Sequence, residues 1–146
     1  NADVITIEIE NVNCEALLKL EQEGRKVFPQ PDAIRLIQDK GLQKTFFRKH
    51  NIPTADFRMI ENKSELEDHA DFFPFFMKLR KEGYDGRGVQ KIASANDFEK
   101  GFDKPSVLEK AIDMKAEIAV IVARNESGEV KAFPPVGMDF HPEANL

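Results

Sequence analysis

Apolar and polar positions at the start of the chain alternate as they do in an α/β protein. Residues 4–9 read Val-Ile-Thr-Ile-Glu-Ile, an alternation of period two that predicts a strand. Asn13 is a candidate N-cap, and apolar side chains at 14, 17, 18 and 20 recur with helical spacing until Gly24. A short strand at 27–28 follows. These patterns predict a strand, a helix and a second strand in that order.

Two more helices are expected before residue 53. Pro31 suits the first turn of a helix, and Gly41 is expected to interrupt it. A further helix, with apolar residues at 42, 46 and 47, ends before Pro53. Because the rhythm of the chain changes after this proline, we place a domain boundary at Pro53-Thr54.

Beyond this boundary the pattern is α+β, with short helices between strands. Ser64 and Glu67 match a capping box, which predicts a helix that runs to about Phe72. The predicted elements are, in order, a strand near 56–60, this helix, strands at 74–80 and 87–92, a short helix capped by Ser94 with Phe98 and Phe102 facing inward, and a strand from Val107 towards Ile112.

Residues 118–123, Ile-Ala-Val-Ile-Val-Ala, are apolar at every position. A strand that is apolar on both faces needs cover on two sides, so we predict that this segment is a central strand of a sheet. The turn residues at 125–128 then lead into a partner strand at 129–133.

Residues 75–88 combine a strand with a loop that contains three glycines. The strand delivers Lys78 to the loop, and two arginines add positive charge. Gly83, Gly86 and Gly88 have no Cβ, so the backbone can bring N–H groups close to an anion. An Asp-Gly hairpin turn is the alternative interpretation, but the lysine and the third glycine favour a phosphate-binding loop. The spacing differs from that of a P-loop.

Composition narrows the class of protein. The 146 residues are 41% hydrophobic and 32% charged, as in one soluble domain or two small lobes. The formal charge of −5 argues against nucleic acid as a partner. No apolar run approaches the roughly 18 residues of a membrane span, and no secretory pattern opens the chain.

The single cysteine, Cys14, is expected as a small apolar helix residue, and a cytoplasmic location fits best. No histidine has metal-ligand spacing.

The order of these parts resembles the ATP-grasp fold, in which two α+β lobes hold ATP between them. The parts are a lysine on a strand, a glycine-rich loop, an acidic strand end at 108–112 and then Glu117. Within this fold, residues 78–88 are similar to the loop of the 5-(carboxyamino)imidazole ribonucleotide synthetases. The segments 8–12, 38–44 with 51–54, and 120–124 with 133–141 also resemble that family.

The resemblance implies an α/β (α+β) fold and a place for each segment. Residues 1–53 would be the end of a Rossmann-like lobe with connecting helices, and residues 54–146 the smaller ATP-grasp lobe with the start of the larger one. The chain opens without methionine and directly on a strand, so we expect it to be a central piece of a longer protein.

The implied activity is the ATP-dependent carboxylation of 5-aminoimidazole ribonucleotide with bicarbonate, in purine biosynthesis. Small molecules would be its partners, and the full-length enzyme would be a homodimer. Magnesium is implied as well, with ligands C-terminal to this chain, so the piece alone is expected to be inactive.

The resemblance also assigns roles to individual residues. Lys40 and Lys78 would reach the α- and β-phosphates, and the loop would close over the β- and γ-phosphates. Tyr84, Asp85 and Arg87 would lie near the reacting groups as catalytic residues. The loop residues are Gly83, Tyr84, Asp85, Gly86, Arg87, Gly88 and Val89; the backbone of Glu109, Lys110, Ala111 and Ile112 would hold adenine, Glu117 the ribose, and His141 would lie beside the nucleotide. Glu82 stands where the family usually has glycine.

Two alternatives stay open. Taken singly, each of these residues is better explained by structure: Glu109 and Glu117 as solvated carboxylates at strand ends, His141 as a loop histidine, and Lys40 as a surface charge on a helix. Taken together, they favour the nucleotide site. The chain could then belong to another ATP-grasp carboxylate-amine ligase, or to a nucleotide-binding module without catalysis. Release of ADP that depends on one particular substrate would discriminate between these functions.

Overall fold

The computed structural model describes residues 2–83 and 87–138. The chain divides into two compact units, Asn1–Ala111 and Ile112–Leu146. The predicted boundary at Pro53-Thr54 lies inside the first unit, so the division into 1–53 and 54–146 stays a prediction. No helix within the described ranges is long and apolar enough to cross a membrane.

A small α/β layer opens the first unit. Strands β1 (Val4–Thr6) and β2 (Lys26–Phe28) pair in parallel. Helix α1 (Cys14–Gln22) joins them and begins at Asn13, whose side chain accepts a hydrogen bond from the Ala16 N–H at 3.0 Å. Helix α2 (Pro31–Gln38) completes the layer. Its core consists of Cys14, Leu17, Val27 and Ile34, so the predicted elements and the buried cysteine are confirmed.

The break between the second and third helices is at Asp39, and the prediction that Gly41 interrupts the helix is wrong. Helix α3 (Lys40–Lys49) includes Gly41, which is buried. Asp39 has extended backbone angles, and its carboxylate accepts from the N–H groups of Gly41 at 2.8 Å and Leu42 at 3.2 Å. A Cβ at position 41 would lie 2.6 Å from Arg80 Nε, so a larger residue would displace the guanidinium that binds Asp39.

A four-stranded antiparallel sheet forms the rest of the first unit. Its strands are β3 (Phe57–Ile60), β4 (Phe75–Leu79), β5 (Val89–Ile92) and β6 (Ser106–Lys110), arranged in the order β3-β6-β4-β5. One face packs against two 3-10 helices, Lys63–Phe72 and Ala95–Lys100. The core on this face comprises Ile60, Leu66, Phe72, Phe75, Met77, Ile92 and Leu108, with Phe73, Phe98 and Phe102 packed against it. All four strands were predicted.

The capping box lies two residues earlier than predicted. Asn62 caps the first 3-10 helix by accepting from the Ser64 N–H at 3.0 Å, and Glu65 accepts from the Asn62 N–H at 3.2 Å. Ser64 is therefore inside the helix. Ser94 precedes the second 3-10 helix as predicted, but its side chain makes no capping hydrogen bond.

Residues 112–138, the described part of the second unit, form two strand pairs. Strand β7 (Glu117–Ala119) pairs with β10 (Val136–Met138), and β8 (Val122–Arg124) pairs with β9 (Val130–Ala132), all antiparallel. The β8–β9 hairpin confirms the predicted turn and partner strand, and Gly128 in the turn has φ +86°.

The prediction of a single central strand at 118–123 is wrong. The segment is divided between β7 and β8, each of which has one neighbour, and Ile118 and Ile121 are 64% and 66% exposed. None of residues 112–138 is buried. A short apolar run indicates that a strand can be covered on both faces, but it carries no information about which segments cover it.

Candidate functional site

The sheet face opposite the apolar core carries Lys78 and Glu109. In the register of β4 and β6, Lys78 is opposite Val107 and Phe76 is opposite Glu109, so Lys78 and Glu109 are diagonal neighbours on one face. Helix α3 packs near β6 and brings two more lysines to this face. Together they enclose a cavity of ≈ 220 Å³, called here the lysine cavity, lined by Lys40, Gln43, Lys44, Phe47, Lys78, Val107 and Glu109.

Two ammonium groups share the Glu109 carboxylate. Lys44 Nζ lies 2.6 Å from Oε2, and Lys78 Nζ lies 3.1 Å from Oε1. Burial disfavours the ionised carboxyl, but the two lysines outweigh it, so the pKa of Glu109 lies below its ordinary value. Lys40 also lines the cavity, so three cations face one anion among the lining residues that the structure describes. The lysine cavity therefore has the net positive charge that suits a phosphate group.

Asp39 and Arg80 fix the position of helix α3 against the end of strand β4. The guanidinium donates to both carboxylate oxygens, with Nε–Oδ1 at 3.0 Å and Nη2–Oδ2 at 2.8 Å. The Asp39 side chain is 5% exposed. Burial raises the pKa of this carboxyl. Arg80 and the N–H groups at the start of α3 lower the pKa by a larger amount, so the net shift is downward.

This junction places Lys40 beside the glycine loop. The Lys40 N–H donates to the Arg80 carbonyl at 2.9 Å, and Lys40 Nζ lies 3.5 Å from the Gly83 carbonyl oxygen. Lys40 on α3 and Lys78 on β4 thus approach one cavity from two different elements, and their contact with phosphates stays a prediction.

The base of the loop is closed by Gly83 and Gly88. Gly88 has φ +76°, and a Cβ there would lie 3.1 Å from both Gly83 Cα and Leu79 Cδ1. The Leu79 N–H donates to the Gly88 carbonyl at 2.9 Å. Only glycine fits this approach of the two ends of the loop. Glu82 next to it also has a positive φ, +67°, and pairs with Lys104 at 2.7 Å.

The predicted site residues lie in several different parts of the structure. Lys40, Lys78 and Glu109 are brought together at the lysine cavity, and Gly83, Gly88 and Val89 lie at the adjoining loop base and the start of β5. Arg87 is an exposed residue in the turn before β5. Tyr84, Asp85, Gly86 and His141 lie outside the described residues. Ile112 and Glu117 belong to the second unit, where both are exposed.

The predicted adenine edge is partly engaged in the sheet. The N–H groups of Lys110 and Ala111 donate to the carbonyls of Asp56 at 2.8 Å and Pro74 at 3.0 Å. The Lys110 side chain turns to the other face, where its ammonium donates to the Phe72 and Phe73 carbonyls. The N–H groups of Lys110 and Ala111 are therefore engaged within the protein, and the predicted adenine contact falls to other backbone groups of the 109–112 segment.

Sequence reasoning missed Lys44 and Asp39. Lys44 follows Lys40 by four residues on a predicted helix, which places both on one face, and this spacing was the available signal. Asp39 directly precedes a helix and is a favourable N-cap residue. Among residues 2–83 and 87–138, no group of three or more His, Cys, Asp or Glu side chains is placed to hold a metal ion.

Two protein-family models match this chain. A model of the ATP-grasp domain matches residues 45–143. The chain belongs to the ATP-grasp family. A model of the ribonucleotide synthetase preATP-grasp domain matches residues 1–38.

Individual relatives of this ATP-grasp chain have names that are more specific than the name of the family. The N5-carboxyaminoimidazole ribonucleotide synthase of Synechococcus elongatus is 38% identical over 140 residues, which cover 92% of this chain and 35% of the relative. The structure of carboxyaminoimidazole ribonucleotide synthase from Aspergillus clavatus complexed with ATP matches with a TM-score of 0.85 and 37% identity, over 92% of this chain and 37% of that one.

A second Aspergillus clavatus structure, of N5-carboxyaminoimidazole synthase in complex with ADP and 5-aminoimidazole ribonucleotide, matches with a TM-score of 0.85 and 32% identity. That match covers 96% of this chain and 38% of the other. The chain spans about a quarter to two fifths of the length of the curated relatives and solved structures described by these matches.

Proposed function

We propose that this chain is the central part of an enzyme that carboxylates 5-aminoimidazole ribonucleotide with bicarbonate, with the hydrolysis of ATP to ADP and phosphate, in purine biosynthesis. The observation that carries the proposal is the lysine cavity beside the glycine loop, in a chain of the ATP-grasp family. The relative from Synechococcus and the complexes from Aspergillus, with ATP and with ADP and 5-aminoimidazole ribonucleotide, support this choice of substrates.

In this proposal the phosphates of ATP enter the lysine cavity. Lys78 extends from the end of β4, and Lys40 reaches the cavity from the first turn of α3. Two ammonium groups from different directions bind a phosphate chain without the fixed geometry that a guanidinium fork imposes. Gly83 and Gly88 keep the loop base narrow, so that the loop can cover the β- and γ-phosphates. Glu109 stays ionised beside its two lysines.

The proposed chemistry has two steps that conserve atoms and charge. A bicarbonate oxygen attacks the γ-phosphorus, and the bond between this phosphorus and the β,γ-bridging oxygen breaks. The products of this step are carboxyphosphate and ADP, which is the leaving group. The exocyclic amine of the ribonucleotide then attacks the carboxyl carbon, phosphate leaves, and the nitrogen loses a proton. Tyr84, Asp85 and Arg87 are proposed to act beside the reacting groups.

Magnesium belongs to the proposal as a partner of ATP. A bound magnesium ion neutralises charge on the β- and γ-phosphates during transfer. The described residues contain no acidic cluster that fits it, so we propose that its ligands come from another part of the protein. The residues of this chain contribute the lysines and the loop backbone.

The test is the release of ADP by the full-length protein that contains this chain. We expect release to require ATP, bicarbonate and 5-aminoimidazole ribonucleotide together, and carbon from labelled bicarbonate to appear in the ribonucleotide product. ATP hydrolysis that is indifferent to 5-aminoimidazole ribonucleotide but responds to another amine would assign the protein to a different ATP-grasp ligase. Nucleotide binding without turnover under any of these conditions would identify a non-catalytic module.

A further inference from the structure

Lys44 is a partly buried lysine that lines the lysine cavity, and none of the predicted roles includes it. Its side chain is 12% exposed, compared with 29% for Lys78. It donates to Thr54 Oγ1 at 2.6 Å and pairs with Glu109 Oε2 at 2.6 Å. A lysine with two short polar contacts inside a cavity is held in one place, whereas the contact of Lys78 within the described residues is longer, at 3.1 Å.

We propose that Lys44 is a positioning residue for nucleotide binding, because it holds the Glu109 carboxylate and so releases Lys78 to the phosphates. This inference rests on the proposed function only in that the lysine cavity binds a nucleotide. It does not depend on which substrate is carboxylated.

The argument begins with the carboxylate. Lys44 and Lys78 contact different oxygens of Glu109, so Lys78 can leave without disturbing the contact to Lys44. Glu109 is 18% exposed, and an unpaired carboxylate with so little access to water is strongly unfavourable. If Lys78 were the only partner of Glu109, its movement to a phosphate would leave such a carboxylate behind. Nucleotide binding would then be weakened by that desolvation.

The second step concerns what each lysine can reach. Thr54 follows the end of α3, and its hydroxyl accepts a hydrogen bond from Lys44, which holds this ammonium between Thr54 and Glu109. Lys78 lies on β4 beside the loop base, where Leu79 bonds to Gly88. The structure thus separates a fixed counterion for Glu109 from a cation that can exchange a carboxylate for a phosphate.

Replacement of Glu109 should then reverse the effect of replacing Lys44. Glu109→Gln removes the charge that needs compensation, and β6 pairs with both β3 and β4, so the backbone of this residue stays in place. We expect Lys44→Met to weaken ADP binding about tenfold, a smaller loss than that from removing Lys78, because Lys44 acts on the nucleotide only through Glu109. Glu109→Gln should bind ADP more tightly than the wild type.

The decisive measurement is the effect of Lys44→Met in the Glu109→Gln background. A difference of less than about twofold in the dissociation constant of ADP between Glu109→Gln and the double variant is expected, because the charge on which Lys44 acts is gone. Titration calorimetry with ADP on the full-length protein gives these constants. Thr54→Val should show a smaller loss in the same direction as Lys44→Met.

Lys49→Met is the matched control, because it removes the same charge from the same helix at an exposed position and should leave ADP binding unchanged. Thermal unfolding of each variant identifies losses that arise from instability. Equal losses from Lys44→Met in both backgrounds would overturn the inference. Because ADP binding needs neither bicarbonate nor the ribonucleotide, this result is independent of the outcome for the proposed carboxylation.

Discussion

Glu82 has a backbone conformation that residues with a Cβ usually avoid. Its φ of +67° lies in the left-handed region, at the position where the related family usually has glycine. We predict that Glu82→Gly is more stable than Glu82→Ala, although alanine is normally the more favourable of the two. Both variants lose the ion pair to Lys104, so their difference in the free energy of unfolding reports the backbone alone. Urea titrations of the two proteins measure it. A more stable alanine variant would contradict the prediction.

Lys78 is the residue through which the proposed nucleotide binding is most directly tested. Lys78→Ala should weaken ADP binding by about 2–3 kcal/mol, the value of a charge-assisted hydrogen bond to phosphate. Lys91→Ala is the control, since Lys91 is an exposed lysine on the neighbouring strand β5. Titration calorimetry on the full-length protein measures both variants. Equal effects of the two substitutions would show that binding follows overall charge and not the lysine cavity.

At the level of elements, Asp39 joins helix α3 to strand β4. Asp39→Asn should reduce the free energy of unfolding by about 3 kcal/mol at neutral pH, because it leaves the Arg80 guanidinium without its buried partner. Denaturant titration measures this loss. Asp103→Asn, in the exposed stretch before β6, is the control and should be close to neutral.

The same substitution predicts a pH dependence. The pKa of Asp39 is lower in the folded protein than in the unfolded chain, so its contribution is complete above the unfolded pKa and is lost as the pH falls through the folded one. The stability difference between wild type and Asp39→Asn should therefore shrink below about pH 4, near the unfolded pKa of an aspartate. A difference that stays constant down to pH 2 would show that the ionised carboxylate is not what stabilises the junction.

Elements with a clear hydrophobic period were predicted from the sequence. The features that the sequence did not predict depend on tertiary contacts. Strands 57–60 and 75–79 and helix α1 follow from spacing alone. Gly41 misled the prediction because its small size serves the contact with Arg80, which lies 39 positions further along the chain. The lysines of the cavity could be predicted, from the family resemblance for Lys40 and Lys78 and from helical spacing for Lys44. Their shared carboxylate could not, because pairing to Glu109 depends on the register of β4 and β6.

At the scale of the whole molecule, the two units differ in how much apolar surface they bury. Strand β6 of the first unit contains Val107 and Leu108, which are 1% and 0% exposed. In the second unit, Ile118 and Val122 are 64% and 58% exposed. Amide protons in β7 and β8 of this chain should therefore exchange with solvent much faster than those in β6, because local opening exposes little new apolar surface there. Hydrogen exchange followed by mass spectrometry tests this, and equal protection of the two units would contradict it.

The two residues of the Asp39–Arg80 junction are not interchangeable, and this limits the order in which substitutions can accumulate there. Asp39 also accepts from two backbone amides at the start of α3, whereas an arginine at position 39 would offer them only donors. Exchanging the two side chains would keep the charges complementary and still lose the helix cap. Loss of Arg80 leaves the carboxylate with its amide partners, but loss of Asp39 leaves three donor groups without an acceptor. Substitutions at this site are therefore tolerated more easily at position 80 than at position 39.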